Sequence, residues 1–408
     1  MKRLHSATAK VVAVLLAYLP FRFVIYFLAI KIGLPHTNLI ELLSEIYIAL
    51  AGIYLLAANY KTVWTKLRSP RQWPRIIKLA ITLVIWGLVT LSYTPAGFGQ
   101  ALRGLRLDFL GLGILVLVWL VPTERDDAKP LFELAYWACI VIAVVGLIEL
   151  VFGPGFLHAL GFSPYQFFAG KIRQVHSLLP TPNMFGSAMV LLTALVYKRL
   201  ARPSWWMTLG LGILVGSSYS RSAWLALAIL GAAIFFHYLG RGIFAWSVGF
   251  LALGLALGTL LGIMRYHGSF ESAATHDAST AQHQTAYVGA AQSFTNFDIT
   301  WFTGDGIGSA GPATLNSKQP PRIAESWYIQ LFQEMGVIGL GLFIAIMLVL
   351  TNQLFDMGEP ILAFVTIALS INALFLHIWA DDRFVHILFW SLMSITLFSR
   401  PKAKPRTA

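Results

Sequence analysis

Apolar residues along this chain come in long runs separated by short polar joints, and the one long polar exception lies between Arg265 and Glu325. At about 20 residues per bilayer crossing, the runs place spans at 11–32, 39–58, 76–93, 105–121, 131–152, 183–199, 204–219, 222–239, 242–264, 326–350, 360–379 and 383–399. This pattern predicts an all-α polytopic membrane protein with about 12 transmembrane helices and a large loop before the tenth. It divides the chain into four parts. Residues 1–182 form an N-terminal transmembrane bundle with an outer loop at 153–182, and 183–264 form helices joined by an outer arginine turn. Residues 265–325 are the large outer loop, and 326–408 are the C-terminal helices with a basic tail.

Composition agrees with the pattern. Hydrophobic residues make up 57% of the chain and charged residues 12%, with a mean hydropathy of +0.70, more apolar surface than one soluble core buries. The formal charge of +12 does not point to nucleic acid, because the cations sit mainly in short joints. With a cytoplasmic N-terminus, the inner segments hold 19 of the 30 Lys and Arg residues and the outer segments nine, while Arg22 and Lys31 lie within the first span. The bias predicts that both termini are cytoplasmic. The single cysteine, Cys139, lies in an apolar run, which excludes an internal disulfide. The basic and apolar start lacks a small-residue cleavage site and is expected to be a retained first span.

Candidate chemistry gathers on the outer side. Arg221, in SSYSRSAW, stands at the boundary of two apolar runs, where a cation calls for an anionic companion or for headgroups to reach. The neighbouring hydroxyls of Ser217, Ser218, Tyr219, Ser220 and Ser222 suggest an oxyanion-binding turn. Arg265, Arg173, Lys171 and Arg322 add positive charge on the same side, and together these residues suit a diphosphate. Glu325 opens the run ESWYIQLFQEMGVIGL, either as a helix cap or as a general base toward a sugar hydroxyl. Glu334, deeper in that run, is expected to bond within the bundle. His267, His276 and His283 lie in the loop without any cysteine and at spacings that match no zinc pattern, so no metal is expected. His283 suits acid, base or hydrogen-bond work near neutral pH. Gly306, Gly308 and Gly311 spell GxGxxG, but outside a strand–turn–helix setting and followed by Pro312, so a tight turn is expected and not a dinucleotide site. Gly254, Gly258 and Gly262 are expected to form a helix-packing face. No nucleotide phosphate loop is present, so group transfer would draw on an already activated donor.

The order PTPNMFGSAMVLLTAL, SYSRSAWLALAIL, GDGIGSAGP and ESWYIQLFQEMGVIGL resembles the O-antigen ligase and polymerase superfamily of bacterial envelope glycosyltransferases, over roughly residues 173–350. The first five spans match it only in hydropathy. The resemblance implies an inverting, metal-independent glycosyltransferase in the bacterial inner membrane, facing the periplasm and using no cofactor. Its donor would be an undecaprenyl-diphosphate-linked glycan, and its acceptor a lipid-linked repeat or lipid A-core. It implies that Arg221, with Arg265 as a second arginine, holds the diphosphate. Where the ligases carry a histidine base this chain has Glu325, and together with His283 this favours a branch that polymerises O-antigen or exopolysaccharide repeats. The alternatives are an O-antigen ligase, a protein O-glycosyltransferase, a lipid or polysaccharide transporter, and a non-catalytic assembly component.

Overall fold

The computed structural model describes residues 4–35, 37, 40, 42–159, 168, 169, 172–200, 203–238, 242–266, 287, 288, 298–316, 322, 326–380 and 383–399. Within them the chain is almost entirely helical. The helices are α1 Ala7–Tyr18, α2 Arg22–Lys31, α3 Leu43–Ala58, α4 Tyr60–Leu67, α5 Arg75–Thr90, α6 Phe98–Leu120, α7 Arg125–Phe152 and α8 Pro182–Arg199. They continue with α9 Trp205–Ser217, α10 Arg221–His237, α11 Gly242–Tyr266, α12 Ile299–Thr303, α13 Trp327–Asp356, α14 Pro360–Asn372 and α15 Arg383–Phe398. One two-residue hairpin pairs β1 Phe168–Ala169 antiparallel with β2 Ile172–Arg173.

Each of the twelve expected windows falls on a helix, but the expectation of twelve full crossings is not matched by helix length. Four segments are long and apolar enough to cross a membrane: Ala7–Lys31, Arg125–Phe152, Trp246–Arg265 and Trp327–Asp356. A fifth arises if α3 and α4, bent by 87° at Asn59, are taken together. At about 1.5 Å per residue, the 13 residues of α9 and the 13 of α14 reach only part of a hydrocarbon core. The window 360–379 ends as helix at Asn372, and the chain continues as non-helical backbone through Ala380, exposed at Leu374 and Phe375 and buried again from Ile378. The 23-residue α6 is long enough, but Arg103, Arg106 and Asp108 interrupt its apolar run.

The charges inside this apolar bundle have partners, as burial of an ion requires. Arg22 lies 3.9 Å from Glu45, which also pairs with Arg383, and all three are buried. Ser44 Oγ donates to the other Glu45 oxygen at 2.7 Å. In the last turn of α4, Lys66 donates to the carbonyls of Trp119 and Leu120, placing a cation on the C-terminal end of α6.

The most extensively packed pair is α9 with α11. Gly212 and Gly216 face the backbone of Leu251 and Leu255, while Gly254 and Gly258 face the carbonyls of Leu209 and Ile213. A methyl group on any of the four would meet backbone atoms, so glycine is what lets these helices touch. Gly262 completes the expected series by accommodating the Tyr219 ring.

Candidate functional site

Helices α8, α10 and α13 all begin at one end of the bundle. Gly186, in the second turn of α8, lies against Ser218, Ser220 and Ala223 of the α9–α10 turn. Asn372, at the end of α14, donates to Ser187 Oγ at 2.8 Å, and the backbone N–H of Trp327 donates to the Ala373 carbonyl at 3.0 Å. Three helix N-termini, each the positive end of a backbone dipole, are thereby held near one another. Thr181 and Ser326 cap two of them through their side chains.

A cleft of about 260 Å³ opens beside this assembly, lined by Arg173, Arg265, Ser217, Tyr219 and Glu149 among others. Glu149, an acid in the apolar run of α7, organises its wall. One carboxylate oxygen lies 3.4 Å from Arg173 Nη2, and the other accepts the backbone N–H groups of His176 at 3.1 Å and Ser177 at 2.7 Å. The Ile172–Leu179 segment is pinned there, with Ser177 in the left-handed region at φ 59° and its hydroxyl on the Ile142 carbonyl at 2.6 Å. The Val175 N–H donates to the Ser217 carbonyl at 3.0 Å, which ties the segment to the α9–α10 turn. Arg265, at the end of α11, donates to the carbonyls of Leu150 and Val151 that terminate α7.

The structure thus brings Arg173 and Arg265 to one cleft. Arg221 is exposed at the first position of α10, two residues beyond Tyr219, and does not line the cleft. Arg322 stands apart, pairing with Asp305 at 2.6 Å while its carbonyl accepts the Gly311 N–H. Glu325, His283, His267, His276 and Lys171 lie outside the described residues. The expectation of a hydroxyl-rich oxyanion turn needs correction. Ser217 and Ser218 donate back to the carbonyls of Leu214 and Val215, Tyr219 donates to Thr259, and Ser220 and Ser222 bond each other.

A second polar assembly lies at the glycine turn. Helix α13 breaks at Gly336, whose φ of 63° and ψ of −168° only glycine adopts readily. The break frees three carbonyls, and each has a donor. Asp305 N–H serves Gln333 at 2.8 Å, Gly306 N–H serves Glu334 at 2.9 Å, and Trp86 Nε1 serves Met335 at 2.9 Å. The Glu334 side chain accepts the N–H groups of Gly308 at 3.1 Å and Ala310 at 3.3 Å. Asp108 of α6, also buried, accepts from Gln330 Nε2 at 3.1 Å. Glu334 Oε2 and Asp108 Oδ2 are buried and accept no hydrogen bond among the described residues. Nearby, Asp298 caps α12 and is held below the usual carboxylate range by the Thr300 hydroxyl and N–H.

No family model matches the chain, and no curated protein matches it. Among the described residues no group of three or more His, Cys, Asp or Glu side chains is arranged to hold a metal ion.

Three features of this end went unread in the sequence. Glu149 carries a signal that was available, because an acid within an apolar run needs a partner. Asp108 carries the same signal. His377 follows Leu376, whose carbonyl accepts from the α13 N-terminus, and both its ring nitrogens are buried without a hydrogen-bond partner. Only the three-dimensional course of residues 373–380 reveals it.

Proposed function

We propose that the chain is an inverting, metal-independent glycosyltransferase that polymerises undecaprenyl-diphosphate-linked repeat units into O-antigen or exopolysaccharide on the periplasmic face. The observation that carries the reading is the joint presence of Arg173 and Arg265 in one cleft, walled by residues of the turn that leads to Arg221. The order of sequence motifs that resembles the ligase and polymerase superfamily is its second support. The three neighbouring helix N-termini add to the positive field at that end.

In this reading Arg173 and Arg265 hold the diphosphate in the cleft, Arg221 reaches it from the adjoining turn, and together they stabilise the charge that grows on it as the glycosidic bond breaks. Glu149 fixes the orientation of Arg173. Glu325 takes the proton of the acceptor hydroxyl as its oxygen attacks the anomeric carbon from the face opposite the diphosphate, and His283 assists from the loop. The apolar helices hold the polyprenyl tail. The acceptor is a second lipid-linked repeat. Ligation to lipid A-core is the alternative within the same chemistry.

The test is polymer formation by variants expressed to wild-type level. Arg221→Ala and Arg265→Ala each lower transfer by about 10²-fold or more. Glu325→Gln lowers the chemical step by about 10²-fold or more and leaves donor binding nearly unchanged. Normal polymer from a variant removes that residue from the mechanism.

One observation favours transport instead. A membrane helix broken beside buried acids is how many carriers build a midplane site. Here, however, the break in α13 is filled by the protein's own glycine turn. Donor-dependent movement of lipid-linked glycan between leaflets, without new glycosidic bonds, would select the transport reading.

A further inference from the structure

A second cavity, of distinct chemistry, lies at the opposite end of the bundle, where α7 begins and α8 ends. It encloses about 560 Å³. Four cations line it: Arg125, Lys129, Lys198 and Arg199. Two of them are neutralised, Lys198 by Glu359 and Arg199 by Glu133 at 2.8 Å. Arg125 and Lys129 are exposed and form no ion pair among the described residues. The lining therefore carries an excess of two positive charges. Its remaining wall mixes apolar side chains, including Phe132, Leu195 and Ile395, with the hydroxyls of Thr396 and Ser399.

The aromatic groups set its level in the membrane. The Arg199 guanidinium lies 4.2 Å from the centre of the Tyr136 ring and 5.6 Å from that of Trp137, which is 52% exposed on the outside of α7. Tyr and Trp beside basic groups at a helix end mark the headgroup region, with the acyl chains beginning beyond them. A site with cations at the rim and apolar walls below matches a phosphate attached to hydrocarbon, not a free anion. The protein's own continuation does not match it. The chain runs on from Ser399, itself in the lining, into Arg400, Lys402, Lys404 and Arg406, charges of the same sign as the cavity.

We infer that this cavity is a binding site for one anionic glycerophospholipid of the leaflet at that end, with Arg125 and Lys129 taking the headgroup phosphate and Leu195 and Ile395 meeting the first acyl carbons. Arg199 and Lys198, already paired, hold the shape of the pocket. The site is separate from the arginine cleft, and the inference does not depend on the proposed glycosyl transfer.

Full-length protein in neutral detergent, titrated with phosphatidylglycerol or phosphatidylethanolamine and read by native mass spectrometry, tests it. Wild type is expected to bind one phosphatidylglycerol at least about tenfold more tightly than phosphatidylethanolamine. The Arg125→Gln/Lys129→Gln double variant, whose changes are on exposed side chains, is expected to lose about tenfold, in line with the attraction of each cation for anionic lipid. A Lys61→Gln/Arg68→Gln control, which removes two cations from the exposed helix α4 and its end, keeps wild-type affinity. Unchanged binding in the double variant overturns the site. Equal loss in the control reduces the effect to general charge attraction and overturns it too. Full displacement by inorganic phosphate at matched concentration would assign the pocket to a free anion and overturn the lipid.

Discussion

Two regions of this molecule are built on glycine, and they use it for different physical ends. In the α9–α11 seam, Gly212, Gly216, Gly254 and Gly258 keep ordinary helical backbone and contribute only the missing Cβ, so two helices touch backbone to backbone. In the turn from Gly304 to Gly311, four glycines adopt positive φ, between 66° and 96°, and the turn fills the break that Gly336 makes in α13. The seam is held by close packing alone. The turn is held by hydrogen bonds, because backbone opened within an apolar bundle must find donors and acceptors in the protein. Similar spacing of the same residue thus gives a packing surface in one place and a polar plug in the other.

The comparison predicts different costs, all readable as shifts of the unfolding midpoint in detergent. Glu334→Ala carries the largest, about 3–5 kcal/mol, since it strips the buried N–H groups of Gly308 and Ala310 of their acceptor. Glu334→Gln is expected to recover most of that loss, because the amide oxygen keeps an acceptor for the turn. Equal damage from both variants would show that these two bonds do not hold the turn. Gly336→Ala follows, with about 1–3 kcal/mol of backbone strain and a collision with the Phe302 carbonyl. In the seam, Gly254→Ala costs about 1–3 kcal/mol through overpacking against the Leu209 carbonyl, and unlike the turn variants it leaves proteolytic access to residues 304–311 unchanged. Smallest is Gly113→Ala on the open face of α6, where a Cβ meets nothing within 4 Å. It is neutral or stabilising by up to about 1 kcal/mol. A large loss there would break the distinction between glycines that are needed and those that are not.

Much of the helical fold is legible in the chain. Apolar runs give the positions of the helices, and the spacing of Gly254, Gly258 and Gly262 gives the seam, because both follow from periodicity. Helix lengths are less legible. Hydropathy does not register where Asn372 ends a helix while apolar chain continues, nor where Gly336 breaks one between Glu334 and the apolar stretch that follows. The candidate site divides in the same way. Arg173 and Arg265 could be named from their residue type and the expected topology, but their meeting depends on Glu149, and that contact joins segments 24 residues apart in the chain. The serine hydroxyls beside Arg221 misled because helix carbonyls compete for them, a contest that composition does not reveal.

Glycosyl transfer from a lipid diphosphate is tested by reconstitution. Purified protein in detergent, with chelator present, is incubated with a single undecaprenyl-diphosphate-linked oligosaccharide, and the products are followed by mass spectrometry. The expected product is a ladder of repeats with one undecaprenyl diphosphate released for each bond formed. A donor that binds and is never extended would contradict it.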